Sequence, residues 1–166
     1  MIQNSESNAS SADSSDWFSF MMGEFEARFP CDRNYFSNHM WAKQVPSGVW
    51  HLGLSAYAVR LLQDVYFLDW LVEAPAALVK SQQVGSIESK KAESDLFAPC
   101  AGELIELNEK VLEDPSLINA DPYADGWMLS IDITSSTELL SPEQYASHLE
   151  QAWEIAQRTI KGQANH

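Results

Sequence analysis

Short apolar segments alternate with turn-forming residues through the middle of the chain, and that pattern predicts strands. Residues 49–54, 65–70, 84–88, 103–107 and 127–131 are each rich in aliphatic and aromatic side chains. In the last of these, Trp127, Leu129 and Ile131 alternate with Met128 and Ser130, the period of two that a half-buried strand shows. Pro46-Ser47-Gly48, Pro99, Asn108 and the run from Asp121-Pro122 to Gly126 separate the segments. Helical spacing interrupts them. Ser55 precedes Ala58, Leu61, Leu62 and Val65 at i, i+3, i+4 and i+7, so a helix capped by Ser55 is expected. Asp114-Pro115 starts a short turn of helix carrying Leu117 and Ile118. The clearest helix is the last: Ser141 and Gln144 form a capping box with Pro142 at the first helical position. Tyr145, Leu149, Ala152, Trp153, Ala156 and Ile160 then line one face, a stripe that reads as core packing, and Gly162 ends it. The fold class expected is mainly β, with peripheral helices and a C-terminal helix.

The two ends of the chain differ from this pattern. Residues 1–15 are mostly Ser, Asn, Ala, Asp and Glu, too polar to offset the entropy of ordering, and predict a disordered tail. They lack the basic start and apolar stretch of a secretory signal. They contain no Arg and carry Glu6 and Asp13, unlike a transit peptide. Residues 16–34 form an aromatic-rich extension holding Trp17, Phe18, Phe20, Met21, Met22, Phe25 and Phe29. An extra strand or short helix packed on the domain is one reading; a Met- and Phe-rich docking patch for a partner is the other. The remaining body, residues 35–162, is expected to be one domain.

Composition narrows the function. With 166 residues, 45% apolar, the chain suits a single compact domain. Its 24 acidic and 10 basic residues leave a net charge of -14, which repels phosphate backbones and anionic lipid. Nucleic acid and membrane surfaces are therefore not expected partners, and no apolar run approaches the roughly 18 residues of a membrane span. A bacterial cytoplasmic location is the expectation. Cys31 and Cys100 are too few for a disulfide scaffold or a cysteine-built metal site. His39, His51, His148 and His166 show no metal-ligand spacing, so no metal is expected. No G-x-S-x-G, G-x-x-x-x-G-K-[ST] or G-x-G-x-x-G pattern occurs, and no enzyme in its own right is expected.

The informative stretch is 84–99. An apolar strand ends at Ile87, a polar run of about eight residues follows, and Leu96-Phe97 begins another apolar piece. That is a hairpin with a charged, solvated tip. A lysine there is long, flexible and accessible, suited to carry a covalently attached swinging group, and acylation would remove its charge. Spacing alone also fits an ordinary hairpin whose lysines serve solubility.

The residues themselves go further. Glu88-Ser89-Lys90-Lys91-Ala92, then Ser94-Asp95 and Pro99, resemble the E-S-V-K-A, S-D and Pro lipoylation motif of the glycine cleavage system H protein family. Gly102-Glu103-Leu104 and Asn108 match that family's G-E-[VI] strand and following Asn, and the run from Leu117 to Trp127 matches its L-[VI]-N-x-x-P-Y-x-x-G-W block. Gly53-Leu54-Ser55 with Ala58, then Asp64, Phe67 and Asp69, follow its G-I-T-x-x-A helix and V-F-V-D strand. Biotin carriers place Met on both sides of their lysine, and oxo-acid dehydrogenase lipoyl domains use D-K-A; neither pattern is present.

The resemblance implies a flattened barrel-sandwich hybrid of the lipoyl/biotinyl-carrier kind. It implies covalent lipoate on Lys91, since the family's Val falls at Lys90, with Glu88, Ser89, Glu93 and Asp95 forming the surroundings met by a lipoate-attaching enzyme. A family member is a carrier without independent catalysis. It shuttles an aminomethyl group on its lipoyl-lysine arm between glycine decarboxylase, aminomethyltransferase and dihydrolipoyl dehydrogenase. A divergent H-like carrier for another lipoate-dependent pathway and an unmodified H-like binding module are the alternatives. Departures from the family are specific. Its H-E-W is His39-Met40-Trp41 here, and its G-I-T-x-H-A histidine is Tyr57. Gln63 and Ser81-Gln82 replace turn glycines, and residues before Tyr35 lie outside the usual pattern. In the family both altered polar groups border the cleft where the loaded arm rests, so a primary amine parked there loses a charged partner.

Overall fold

The computed structural model describes residues 16–164, with side chains through residue 159. The polar segment 1–15 lies outside the described residues. Eleven strands and four helices follow in order: β1 (Trp17–Met22), β2 (Phe25–Pro30), β3 (Asn34–Tyr35), β4 (Met40–Gln44), β5 (Trp50–Leu54), α1 (Ala56–Leu62), β6 (Val65–Trp70), β7 (Ala76–Leu78), β8 (Gln83–Ser89), β9 (Glu93–Phe97), β10 (Gly102–Leu107), α2 (Glu109–Glu113), α3 (Leu117–Ala120), β11 (Leu129–Ile133) and α4 (Pro142–Ala164). A six-stranded sheet, β3-β4-β5-β11-β10-β7, faces a three-stranded sheet, β6-β8-β9, and β1-β2 forms a separate hairpin. The first core lies between the two larger sheets. Leu52, Leu54, Leu104, Leu129 and Ile131 come from one, and Val65, Leu68, Val84, Ile87 and Leu96 from the other. The mainly β expectation, with a C-terminal helix, holds.

Several local readings change on folding. In β6, Val65 and Leu68 both turn inward while Tyr66 and Phe67 are exposed, because a register shift between Val65 and Phe67 adds a residue to the strand. Met128, Leu129, Ser130 and Ile131 are all buried, so the expected two-residue alternation is absent; β11 lies between β5 and β10 and is covered on both faces. The β11 strand begins two positions later than expected, and Trp127 instead stacks on His51 at 4.0 Å. The α1 helix forms where expected, yet Tyr57 is its buried residue and Leu61 is 43% exposed. Gln63, at φ 61°, turns the chain out of the helix, and Val65 belongs to the next strand. Ser55 occupies the N-cap position and its carbonyl accepts from Val59 N–H (3.0 Å), but its side chain makes no cap bond; its hydroxyl is committed to Tyr145.

At α4 the capping box forms in both directions. Ser141 N–H donates to Gln144 Oε1 (2.8 Å), and Gln144 N–H donates to Ser141 Oγ (3.1 Å). The helix continues through Gly162 to Ala164, since glycine lowers helix propensity without blocking the backbone bond. Tyr145 and Leu149 are buried in a second core with Met22, Ala27, Phe29, Tyr35, Trp41 and Tyr57. The aromatic segment is therefore a packed β-hairpin, turning at Gly23 (φ 67°), where a side chain would be strained. Gly53 serves this core differently: a Cβ there would meet the Trp41 ring at 2.8 Å.

Candidate functional site

The β8–β9 hairpin carries the lysines at its tip. Its strands pair closely, with Glu88 opposite Glu93, so the polar run expected to form an eight-residue tip is mostly ladder. The turn itself is short. Ser89 N–H donates to the Ala92 carbonyl at 2.9 Å, leaving Lys90 and Lys91 as the two central residues. Ser89 is buried; its hydroxyl donates to the same carbonyl (2.9 Å) and accepts from Ala92 N–H (3.1 Å). It clasps the turn rather than facing solvent. From outside, Lys90 N–H donates to the Asp64 carbonyl at 2.7 Å, which anchors the tip to the bend before β6.

The two lysines then differ. Lys90 borders a groove of about 540 Å³ with Phe25, Arg60, Asp64 and Asn119, and its backbone is tied to the body. Lys91 is exposed, and among the described residues neither lysine forms an ion pair. An amine so placed is sterically free for acylation and can sweep a volume beyond the tip.

Cross-strand register assembles what surrounds it. Phe67, Glu88 and Glu93 form one row across β6, β8 and β9, and Asp69, Ser86 and Asp95 form another on the same outer face. Glu88, Glu93 and Asp95 were expected near the tip. Asp69 and the exposed Phe67 join them only through pairing of β6 with β8, for which the sequence offers no local signal.

Beside β9 runs a narrower cleft of about 210 Å³. Asn38, His39 and Met40 form one wall, Leu54, Ala58, Leu61 and Leu62 a second, and Ser94 to Phe97 the third. Asp95 is the one carboxylate lining it. Met40 and Tyr57, the two departures from the family pattern, are both buried: Met40 joins the first core, and Tyr57 stacks on His39 at 4.3 Å. His39 stands at the junction with φ 72°. Its Nδ1 lies 2.8 Å from Tyr145 Oη, which lies 2.8 Å from Ser55 Oγ. Burial pushes the His39 imidazole down to about 4, with the neighbouring His148 adding to the shift, so the ring is neutral near pH 7. In the sequence His39 is one of four histidines without metal-ligand spacing and part of the His39-Met40-Trp41 match; its position at a cleft follows from the meeting of β4, α1 and β9. Among the described residues no cluster of His, Cys, Asp or Glu could hold a metal, and no helix is long and apolar enough to cross a membrane.

The structure thus presents an accessible lysine on a clasped hairpin, at the end of a two-sheet β sandwich. The glycine cleavage H-protein family model matches residues 33–152. A glycine cleavage system H protein from Carboxydothermus hydrogenoformans is 38% identical over 128 residues, covering 75% of this chain and 97% of the relative. Another from Rubrobacter xylanophilus is 38% identical over 125 residues, covering 75% and 98%. The crystal structure of a glycine cleavage system H protein from Mycobacterium marinum superposes with a TM-score of 0.66 at 34% identity, covering 74% of this chain and 99% of that one. This chain belongs to the glycine cleavage H-protein family. The β1–β2 hairpin lies outside the matched residues.

Proposed function

We propose that Lys91 carries lipoate in amide linkage and that the chain is the mobile-arm carrier of glycine cleavage. The observation that carries this reading is Lys91 itself, exposed and without an ion-pair partner among the described residues, in the E-S-x-K-A register of the family the chain belongs to. The carrier domain is residues 35–162, and the hairpin within 16–34 is an addition to it. When attached, lipoate supplies a dithiolane able to accept an aminomethyl group and to be reoxidised from the dithiol.

The chain's own residues supply position. Ser89 and the Asp64 carbonyl hold the tip rigid, so flexibility is confined to the lysyl arm. Glu88, Glu93 and Asp95, with Asp69, give the face beneath the arm a negative field that a lipoate-attaching enzyme with a basic surface would meet. The cleft beside β9 fits a folded-back acyl chain: Leu54, Ala58, Leu61 and Leu62 exclude water, and Asp95 accepts a hydrogen bond from a bound amine. Partners on this reading are glycine decarboxylase, aminomethyltransferase and dihydrolipoyl dehydrogenase, in a bacterial cytoplasm. The carrier contributes tether and shelter, and its partners contribute the chemistry.

Intact-mass measurement after expression with lipoate should show one lipoyl adduct, absent in Lys91→Ala and present in Lys90→Ala. The reverse result would overturn the assignment to Lys91. The buried Met40 in place of a carboxylate favours a second reading, a divergent carrier for another lipoate-dependent system. Glycine–bicarbonate exchange with cognate decarboxylase separates the two: modified protein that supports no exchange favours the divergent carrier.

A further inference from the structure

The cleft beside β9 contains a hydrogen-bonded chain whose protons can be placed. Ser55 is fully buried, and its hydroxyl has one partner, Tyr145 Oη at 2.8 Å. Tyr145 is equally buried and also contacts His39 Nδ1 at 2.8 Å. Two arrangements fit these distances. If His39 Nδ1–H donated to Tyr145 and Tyr145 to Ser55, the Ser55 proton would be buried with no acceptor among the described residues. If Ser55 donates to Tyr145, and Tyr145 to a bare Nδ1, every hydroxyl proton is used. The second arrangement leaves the imidazole proton on Nε2, and burial, which holds the ring neutral, supports it.

Backbone bonds make this geometry rigid. Ser55 N–H donates to the His39 carbonyl (2.9 Å), and His39 N–H donates to the Phe36 carbonyl (3.0 Å), holding His39 at its positive φ. The ring is flanked by Tyr57 of α1 and by Tyr145 and His148 of α4, while Asp95 of β9 also lines the cleft. With Nδ1 engaged, Nε2 is the nitrogen left to serve the cleft that His39 lines. The cleft is therefore two-poled along a mostly apolar wall, with an N–H donor at His39 and a carboxylate acceptor at Asp95. Asp95 lies four residues beyond Lys91, at most about 13 Å along the chain, within the span of a lysyl side chain lengthened by an octanoyl-based group.

We propose that His39 is a positioning residue for the arm on Lys91, its Nε2–H donating a hydrogen bond to an arm sulfur when the arm lies in this cleft. The inference rests on the lipoyl reading above. A thiolate is the strongest acceptor such an arm offers, so the donor stabilises the ionised thiol and orients the sulfur pair, while the Asp95 end is left to a bound amine.

The test follows the pH dependence of alkylation of the phosphine-reduced arm by iodoacetamide, read by mass on the peptide bearing Lys91. The midpoint in the native protein should lie about half a pH unit below that of free dihydrolipoamide, about a threefold gain in thiolate fraction at pH below both midpoints. In His39→Leu it should return to the free value, and His39→Gln, which keeps an amide donor, should restore most of the shift. Tyr145→Phe removes the hydroxyl that selects the tautomer and should cut the shift without removing the ring, which covers the case in which His39→Leu does not fold. Coincident midpoints for native protein and these variants, all carrying the adduct, overturn the role of His39 and leave the carrier reading intact. Absence of an adduct on native protein overturns both.

Discussion

The chain contains two β-hairpins of similar size that are used in opposite ways. In β1–β2, Phe18 and Phe29 stack at 4.9 Å, and Phe29 meets Tyr35 and Tyr145 edge-on. The far side of β2 is tied down by hydroxyls: Tyr35 donates to the Pro30 carbonyl (2.6 Å) and Tyr123 to the Arg28 carbonyl (2.8 Å). Arg28 covers the Trp17 ring, and Arg60 covers Phe25. The β8–β9 hairpin shares its inner rows with the core through Val84, Ile87 and Leu96, while Glu88, Glu93 and Asp95 occupy its outer face and its tip exposes two lysines. One hairpin is fixed by aromatic packing; the other is paired to β6 as far as Ser89 and tied to Asp64 at its tip, with the two lysine side chains left exposed. The contrast separates a hairpin that buries Phe29 in a core from one that presents exposed lysines.

The largest expected effect comes from the anchored hairpin. Phe29→Ala removes a fully buried ring and should cost about 3–5 kcal/mol of stability while the folded fraction still accepts lipoate on Lys91. Urea unfolding followed by intact mass checks both parts. If stability were unchanged, β1–β2 would be an ornament rather than part of the core.

His39 lies where the second core meets the cleft beside β9, and it offers a pH test of the same comparison. An imidazole held down to about 4 in the folded state takes its proton more readily when unfolded, where its value is about 6.5. Its contribution is complete above about pH 6.5 and is lost as pH falls toward 4, on the order of 3 kcal/mol across that window. Unfolding midpoints at pH 7 and pH 4.5 should therefore diverge more in the native protein than in His39→Gln. An equal drop in both would show that His39 is not shielded at this junction.

The smallest effect belongs to the projecting hairpin. Ser89→Ala loses the hydroxyl clasp on Ala92 and should cost about 1 kcal/mol, with faster amide exchange confined to the tip. Exchange that also speeds up in β6 would mean that the clasp supports the sheet as well as the turn.

Much of this was legible from local pattern. The residues 65–70 strand, the short helix after Ser55, the capping box at Ser141 and the exposed lysines all depend on neighbours within a few positions. Period, capping and turn chemistry report such contacts directly. The family motif added the choice of Lys91 over Lys90, which polarity alone leaves open. In the structure both lysines are exposed, and the Lys90 N–H donates to the Asp64 carbonyl.

Tertiary structure decided the rest because those contacts join distant segments. The Ser55 hydroxyl looked like a helix cap and became one end of a relay to a residue 90 positions away. Leu61 looked like core and is exposed, because Tyr57 took the inward position when α1 met the second core. Asp69 joins Asp95 across Ser86 only through two strand pairings, and the cleft needs residues 38–40 beside 94–97. Apolar period determines which face of each element turns inward, but not which other element lies opposite. In this chain the second choice placed the His39 imidazole and Asp95 around one cleft, beside the strand that follows the Lys90–Lys91 turn.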